Sequence, residues 1–230
     1  MKNDFDDGVV RLSIPPTLLI SAMGRVHDAE SCVSMDFKKA GDLIYLISAG
    51  MPGLAASQYE ELIGWQSPMV PQINLHKAAS VYRQLHRAIV LGMVRSAHDV
   101  SDGGLAVCLA ECAIGGWLGA DANTDALTQL TMRDAQSYPA PPASQKVLYR
   151  VDTLFFGEGP ARIVVTIDPD QQREWERLWT GLDCVKLGVV TEERRLKLEH
   201  KPPQDVTASH AVDVPLEALE QAWSSPLPFD

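Results

Sequence analysis

A polar, glycine-bearing segment at residues 97–105 combines residue types that can bind an anion or a metal ion. It reads Ala-His-Asp-Val-Ser-Asp-Gly-Gly-Leu and lies between a short apolar run and a long apolar helical pattern. Two adjacent glycines permit positive φ and close backbone approach, and serine and aspartate are common helix N-caps. Such a turn, here called the elbow, would direct amide groups and the positive end of a helix at a phosphate or carboxylate. Asp-Gly-Gly is also ordinary turn chemistry, so a purely structural turn is the alternative.

The elements around the elbow follow an alternating helix and strand pattern. Apolar positions at helical spacing predict a helix over residues 75–93, followed by a short strand at 94–100. After the elbow, a second helix is predicted over 105–114, where two glycines end it. A nearly continuous apolar run at 42–47 is typical of a strand buried on both faces. This order of elements favours an α/β sandwich.

The remaining segments are predicted from similar signals. Residues 50–74 are irregular and rich in Gly, Pro and Gln, and the proline-bearing stretch 131–144 is predicted to be an exposed loop. Asp168 followed by proline is typical of a helix start, and this helix is expected to run to about residue 181. We further predict strands at 17–26, 162–167, 184–190 and 196–199 and a last helix at 214–223.

Composition and charge exclude several classes of protein. The 230 residues carry a net charge of −10, and 46 % of them are hydrophobic, as expected for a globular chain with one large or two small domains. A broad nucleic-acid surface or an anionic membrane patch would need clustered Lys and Arg, so neither partner is expected. No window approaches the roughly 18 unbroken apolar residues of a membrane span, and the acidic start is unlike a signal peptide. A cytoplasmic protein is therefore expected.

The four cysteines predict neither disulfides nor a metal site. Cys32, Cys108, Cys112 and Cys184 show no Cys-x-x-Cys spacing. Cys108 and Cys112 are four residues apart on one predicted helix and could share a metal ion. Their face is apolar and offers no His or acidic partner at matching spacing, which favours buried core thiols.

Charged residues beside the glycine-rich turns leave alternatives open. His98 could orient Asp99 or carry a proton. A histidine at the end of a buried strand more commonly has a structural role, with its hydrogen-bonding groups satisfied. Glu158 and Arg162 could form an ion pair around a turn or line an interface, and we favour the ion pair.

Taken together, several segments of the chain resemble, in order and spacing, the C-terminal part of the phosphoribosylformylglycinamidine synthase family. These enzymes form an amidine with ATP in purine biosynthesis. The His-Asp-x-Ser-Asp-Gly-Gly form of the elbow and a Phe-Gly-Glu followed by arginine favour this family within the wider aminoimidazole ribonucleotide (AIR) synthetase superfamily. The tail resembles the end of the small, bacterial and archaeal type. The matching segments are residues 13–22, 35–38, 41–46, the elbow, 154–158, 162–165, 214–217, 222–223 and 227–228.

The resemblance implies a fold and a ligand set. An AIR synthase C-terminal-like domain, a mixed sheet packed with helices, is expected over residues 37–200. A remnant of the N-terminal domain would precede it at 1–36, and a tail with a short helix would follow at 201–230. Asp99 is implied to contact Mg²⁺ and Ser101 a phosphate of ATP or ADP, beside Gly103 and Gly104. A hard oxygen ligand suits Mg²⁺, and a hydroxyl among amides suits a phosphate. The alternative is a degenerate site whose elbow is kept as structure.

The resemblance also implies partners and a limit on activity. The family element Gly-Lys-Asp-Ser-Met-Lys-Asn is entered at Met1-Lys2-Asn3, so a fragment without catalytic residues, inactive alone, is expected. Its partners would be the N-terminal part of the synthase and the glutaminase and small accessory subunits. Apolar residues around 18–23 predict a homodimer or aggregate. The alternatives are a non-catalytic nucleotide-binding or subunit-interaction module and another enzyme of the superfamily.

The chain departs from the family pattern at two glycine-rich or polar sites. Ala55 and Ala56 stand before Ser57 where the family often has two glycines, which puts any backbone approach to a ligand there in doubt. Gly159-Pro160-Ala161 replaces a more polar Ser-Gln-Ser, which removes hydroxyls that could meet a substrate.

Overall fold

The computed structural model describes residues 4–13, 19–26, 28–135, 150–201 and 210–225. The chain divides into two compact units, Met1–Glu30 and Ser31–Asp230. In the smaller unit, strands β1 (Asp4–Asp6) and β2 (Arg11–Ser13) pair antiparallel. A carboxylate oxygen of Asp7 accepts hydrogen bonds from two N–H groups in the intervening turn, which fixes the hairpin.

The strand predicted over residues 17–26 is wrong for residues 19–26, which form no strand in the structure. The side chains of Leu19, Ile20 and Met23 are exposed by 89, 76 and 102 %. Ser21, Ala22 and Gly24 have small side chains that bury little surface, and no described strand pairs with this segment. The β propensity of its apolar residues is therefore not sufficient to form a strand. Residues 17 and 18 lie outside the described residues.

The larger unit is built on a seven-stranded mixed sheet. Its order is β11-β10-β7-β9-β3-β8-β6, with β10 and β7 parallel and every other neighbouring pair antiparallel. A two-stranded ribbon of β4 and β5 accompanies it. The strands are β3 (Leu43–Ser48), β4 (Gly50–Met51), β5 (Gln72–Ile73), β6 (Val94–Asp99), β7 (Gly119–Asn123), β8 (Arg162–Ile167), β9 (Asp183–Thr191), β10 (Arg195–His200) and β11 (His210–Pro215).

Seven described α-helices accompany the sheet, together with 3₁₀ turns at Ala29–Ser31 and Pro169–Gln171. Within the described ranges, no helix is long and apolar enough to cross a bilayer. The helices are α1 (Gln58–Ile63), α2 (Leu75–Val90), α3 (Gly104–Gly116), α4 (Asp125–Ala135), α5 (Val151–Phe156), α6 (Gln172–Leu178) and α7 (Leu216–Ser224).

Both faces of the sheet are buried, which confirms the predicted α/β sandwich. Every residue of β3 is buried, and its side chains alternate between two hydrophobic clusters. Ile44 and Leu46 join α3 on one face, here called the elbow face. Tyr45 and Ile47 join α2 and the two tryptophans of the α6 region on the other. The continuous apolar run of β3 is thus explained by burial from both sides.

Several predicted boundaries need correction. The irregular stretch 50–74 contains α1 and the β4–β5 ribbon, and the predicted loop at 131–144 is helical to residue 135, its remainder lying outside the described residues. The last helix begins at Leu216 rather than Val214, because Val214 pairs with Leu196 in β11. The N-cap at Asp168 is confirmed, since its side chain accepts from the Asp170 N–H.

Cys108 and Cys112 are buried in the elbow-face cluster, as predicted for core thiols. A hydrogen bond with Cys112, together with burial, raises the pKa of Cys108 well above its ordinary value. Burial raises the pKa of Cys184 to about 12. The thiols of Cys108 and Cys184 therefore stay protonated at neutral pH and are poor metal ligands and nucleophiles.

Candidate functional site

The elbow lies at one edge of the sheet, where β6 ends and α3 begins. Asp99 is the last residue of β6, and the next N–H, that of Val100, donates to the Arg162 carbonyl at 2.8 Å. Val100 itself is buried in the elbow-face cluster. The turn is therefore anchored on β8 and on the elbow-face cluster, while the side chains of Asp99, Ser101 and Asp102 are exposed.

The two glycines of the elbow have the positive φ that their sequence predicted, +77° at Gly103 and +72° at Gly104. A Cβ atom on Gly104 would lie 2.5 Å from the backbone carbon of Phe156, and one on Gly103 would lie 2.4 Å from a Val107 methyl. Neither position tolerates a side chain without movement. The close packing of α3 against the end of α5 thus depends on Gly104.

The N-cap predicted from Ser101 and Asp102 is wrong. The helix begins at Gly104, its N-cap is Gly103, and no side chain caps it. The Ser101 carbonyl accepts the Gly104 N–H at 3.1 Å, which closes a turn before the helix. Because two left-handed residues intervene, both polar side chains stand outside the first helical turn and are exposed.

A carboxylate from a distant loop bonds to the elbow. Glu158 Oε1 accepts hydrogen bonds from the Gly103 N–H at 2.9 Å and from the Gln58 N–H at 3.0 Å. The backbone of Glu158 also pairs with Gly53 through N–H···O bonds of 2.9 and 3.0 Å. Glu158 therefore joins the elbow to the start of α1, and an internal anion uses the Gly103 amide.

The ion pair favoured for Glu158 and Arg162 is wrong, because the two side chains have different partners. The Arg162 guanidinium turns into the protein interior and donates from Nη1 to the Gly157 carbonyl at 2.8 Å. It is 3 % exposed, whereas Glu158 is half-buried beside the elbow.

Asp99 lies beside a neighbouring histidine at the base of the elbow. His98 Nδ1 lies 3.5 Å from Asp99 Oδ1, and His98 Nε2 lies 2.9 Å from Glu111 Oε2. The Asp99 side chain is 76 % exposed, against 14 % for His98. His98 thus contacts a carboxylate through each ring nitrogen, and the Asp99 carboxylate stays open to solvent.

The donor set fits a nucleotide-borne Mg²⁺ better than a dedicated metal cage. Among the described residues, no cluster of three or more His, Cys, Asp or Glu side chains could hold a metal ion. Mg²⁺ is commonly held by one or two carboxylates and by substrate phosphates. The exposed carboxylate of Asp99, two residues before the exposed hydroxyl of Ser101, matches that mode of binding.

The departures from the family pattern fall where the backbone is left-handed. Ala56 has φ +60° and Ala161 has φ +57°, conformations that glycine adopts without strain. Ser57 caps α1, since its hydroxyl accepts the Glu60 N–H at 3.1 Å, and the Glu60 carboxylate accepts the Ala56 N–H. These bonds keep the loop closed although a glycine is missing.

Two contacts at this site were not foreseen from the sequence. The Glu158 bond to Gln58 joins residues 100 positions apart, and the Glu111 bond to His98 depends on how α3 packs. The sequence gives a hint of the contact between Glu111 and His98, because residue 111 lies on the same predicted helix as the core thiols. It gives no hint of the contact between Glu158 and Gln58.

Residues 39–201 match the family model described as AIR synthase related protein, C-terminal domain, and the chain belongs to that family. It is also 31 % identical to phosphoribosylformylglycinamidine synthase subunit PurL of Prochlorococcus marinus (strain MIT 9303). That alignment covers 96 % of this chain and 27 % of the relative. The chain spans about a quarter of the length of the curated relatives it matches.

Solved structures support the same fold. PurLQS from Thermotoga maritima superposes with a TM-score of 0.56 at 16 % identity, covering 83 % of this chain and 28 % of that chain. T. maritima PurL complexed with ATP gives 0.55 at 15 % identity, covering 83 % and 27 %. At these identities the likeness concerns the fold.

Proposed function

We propose that this chain acts as the C-terminal domain of a phosphoribosylformylglycinamidine synthase in purine biosynthesis. The support is the family match over residues 39–201 together with identity of about 31 % to a PurL subunit over nearly the whole chain. The reaction would convert formylglycinamide ribonucleotide, ATP and ammonia derived from glutamine into the amidine, ADP and phosphate. We assign no catalytic residue to this chain, and we expect no turnover by the chain alone.

The observation that carries a nucleotide role is the exposed pair of oxygen ligands at the elbow. In this proposal the Asp99 carboxylate ligates Mg²⁺ and the Ser101 hydroxyl donates to a nucleotide phosphate. Bound Mg²⁺ would neutralise charge on the phosphates. His98 Nδ1 lies 3.5 Å from one oxygen of this exposed carboxylate, and the other oxygen would be free for the metal. T. maritima PurL complexed with ATP adds support from a similar fold.

In this proposal the two glycines matter for the backbone conformation that they allow, and their N–H groups do not bind the phosphate. The Gly103 N–H is bonded to Glu158 and the Gly104 N–H to Ser101, so neither amide is open to a phosphate. Gly103 and Gly104 instead shape the site, because only glycine allows α3 to start so close to α5. ATP or ADP would contact the elbow through side chains.

A second candidate function is a non-catalytic interaction module with a degenerate elbow. The specific observation in its favour is Glu158, whose carboxylate stands where a phosphate would use the Gly103 amide. In that case the domain folds, packs against another part of the synthase and binds no nucleotide.

Calorimetry with Mg-ADP separates the two functions. The nucleotide proposal predicts saturable heat that is lost in Asp99→Ala and Ser101→Ala and kept in Asp170→Ala, which removes an exposed carboxylate elsewhere. Circular dichroism and urea unfolding of each variant check that it is folded. No heat from the wild-type chain at millimolar Mg-ADP would favour the interaction module and contradict the nucleotide proposal.

Partners follow from the same proposal. The T. maritima PurLQS structure supports a multi-subunit synthase, so we propose the N-terminal part of the synthase and glutaminase and small accessory subunits as partners. The exposed apolar side chains at residues 19–26 also predict a homodimer or aggregate of the isolated chain. Light scattering at high concentration tests this, and a clean monomer would contradict it.

A further inference from the structure

Helix α2 has two apolar faces, and the fold buries one of them. The side chains that pack against the sheet are Ala78, Val81, Leu85 and Ala88. The second set is exposed to solvent and consists of Leu75, Ala79, Tyr82, His86 and Val90. At about 100° per residue, these five positions fall within about 80° of the helix surface. They therefore form one line along the helix, here called the α2 stripe.

The α2 stripe exposes three large apolar side chains. Leu75 is 71 % exposed, Tyr82 48 % and Val90 64 %. Single exposed apolar residues are ordinary on a protein surface, whereas a contiguous apolar strip marks an interaction surface. The stripe runs from the first to the last residue of α2 and so has the length of a helix-binding site.

The flank of α2 beyond its buried face is already occupied. Lys77 donates to the Asp183 carboxylate, and the Gln84 amide donates to the Leu178 carbonyl at the end of α6. At the same turn per residue, both positions lie on the side of the helix away from the α2 stripe. An occupant of the stripe therefore has room on the side that α6 does not cover.

The free flank of the α2 stripe is basic. Arg83 and Arg87 are exposed and lie next to the stripe around the helix. Arg83 donates to the Ser80 hydroxyl at 3.4 Å, and no carboxylate among the described residues pairs with either arginine. Residues 62–98 contain no Asp or Glu, although the chain carries 30 acidic residues. A surface complementary to this flank would carry carboxylates.

Charge disfavours two other occupants of the stripe. Two α2 helices packed antiparallel about a two-fold axis would place Arg83 and Arg87 against the same residues of the second copy, and like charges repel. An anionic membrane would attract these arginines, but it would repel a chain whose net charge is −10. A protein helix with carboxylates along one flank avoids both costs.

We propose that the α2 stripe binds an acidic amphipathic helix of a partner protein. Apolar side chains at helical spacing on the partner would lie against Leu75, Tyr82 and Val90. Its carboxylates would face Arg83 and Arg87. The 16 residues of α2 span about 24 Å, which accommodates about four turns of a partner helix. This inference does not depend on the proposed synthase function.

Fluorescence anisotropy with the full chain tests the proposal. The probes are two labelled helical peptides of about five turns, with leucine at every third or fourth position. One peptide carries glutamate and the other lysine beside the leucines. The protein should bind the glutamate peptide saturably and about tenfold more tightly than the lysine peptide. No saturable binding of the glutamate peptide, or equal binding of both peptides, would overturn the proposal.

Charge reversal on α2 supplies the matched comparison. The double variant Arg83→Glu, Arg87→Glu should weaken binding of the glutamate peptide about tenfold and strengthen binding of the lysine peptide. Arg173→Glu with Arg177→Glu reverses an exposed arginine pair of the same spacing on α6 and should leave both affinities unchanged. Circular dichroism checks that each variant is folded. Unchanged preference after the α2 reversal, or the same change after the α6 reversal, would refute the proposal.

An uncharged substitution tests the apolar part of the stripe. Tyr82→Ala alters no charge and should weaken binding of the glutamate peptide about tenfold, because Tyr82 lies at the centre of the stripe. Unchanged binding by this variant would contradict the proposal even if the charge-reversed protein did not fold.

The same variants identify the other occupants. Sedimentation velocity that shows self-association abolished by Tyr82→Ala would assign the stripe to a second copy. Sedimentation of the protein with phosphatidylserine vesicles, lost in the Arg83→Glu, Arg87→Glu variant, would assign it to a membrane. Either result would overturn the proposal, which predicts that any self-association survives Tyr82→Ala and that the vesicles do not bind.

Discussion

Replacing Gly104 by alanine should destabilise this protein far more than the same change at Gly92. Both residues have positive φ, +72° and +68°, so both variants meet the same backbone strain. A Cβ at Gly92 has no heavy atom within 4 Å, whereas a Cβ at Gly104 would lie 2.5 Å from the Phe156 carbonyl carbon and 2.8 Å from its Cα and oxygen. Comparing the two variants therefore separates the free-energy cost of backbone strain from that of the steric clash with Phe156.

The magnitudes follow from these distances. A left-handed L-residue costs about 1–2 kcal/mol, and alanine recovers about 0.5–1 kcal/mol by restricting the unfolded chain. Gly92→Ala should therefore cost about 1 kcal/mol. Ordinary carbon contacts are about 3.5–4.0 Å, so the helix ends at Gly104 and Phe156 must separate by about 1 Å. Overpacking of this kind adds about 1–3 kcal/mol, which gives about 2–4 kcal/mol for Gly104→Ala.

Urea unfolding followed by circular dichroism measures both variants against the wild type, and equal m-values would license the comparison. We expect the midpoint for Gly104→Ala to fall two to four times as far as that for Gly92→Ala. Equal losses would show that α3 and α5 are not in close contact at the elbow, and would refute the structural role given to this glycine.

Substitutions at four further positions test other parts of the structure. Glu158→Ala should lower the free energy of unfolding by about 2 kcal/mol, because it removes a charged acceptor from two amides, and Glu158→Gln should lower it by less. Urea unfolding measures both variants, and an unchanged stability of Glu158→Ala would contradict the role of Glu158. Ala56→Gly should raise the free energy of unfolding by about 0.5 kcal/mol, because it relieves the strain of a left-handed alanine. Thermal unfolding measures the change, and a midpoint lower than that of the wild type would contradict this expectation. Burial raises the pKa of Asp42, so the folded state holds its proton more tightly than the unfolded chain, and this residue's contribution to stability falls as the pH rises from 3.8 through the raised pKa. Hydrogen bonds from the backbone N–H of the next-but-one residue and from an arginine lower the pKa of Asp168, so its contribution is present above 3.8 and is lost as the pH falls. The stability of Asp42→Asn relative to wild type should therefore rise with pH in acid, and that of Asp168→Asn should fall; slopes of the same sign would contradict both assignments.

Local patterns were sufficient to predict the elements with strong apolar signals. Strand β3 is apolar throughout because both of its faces are buried, and α2 shows its buried positions Ala78, Val81 and Leu85 at helical spacing. Paired glycines at 103 and 104 likewise predicted positive φ, which the structure confirms. In each case the energetic reason for the structure lies within a few residues of the signal.

Other features depend on partners distant in the chain. Strand β7 reads Gly-Ala-Asp-Ala-Asn, has no β-branched residue, and exists because β9 and β10 pair with its two edges. The segment at 19–26 is the reverse case, because its apolar residues predict a strand, but no described strand pairs with it. Glu158 illustrates the same limit at the site, because its bonds join loops that only the tertiary fold brings together.

Addition of this chain to a synthase that lacks the matching domain tests the proposed function most directly. Amidine formation from formylglycinamide ribonucleotide, ATP and ammonia would be measured with a PurL relative deleted for its C-terminal quarter, with and without this chain. The account predicts no amidine from this chain alone, restored formation in the mixture, and a much smaller gain with Asp99→Ala than with Asp170→Ala. A normal enzymatic rate from the chain alone, or no gain in the mixture, would contradict it.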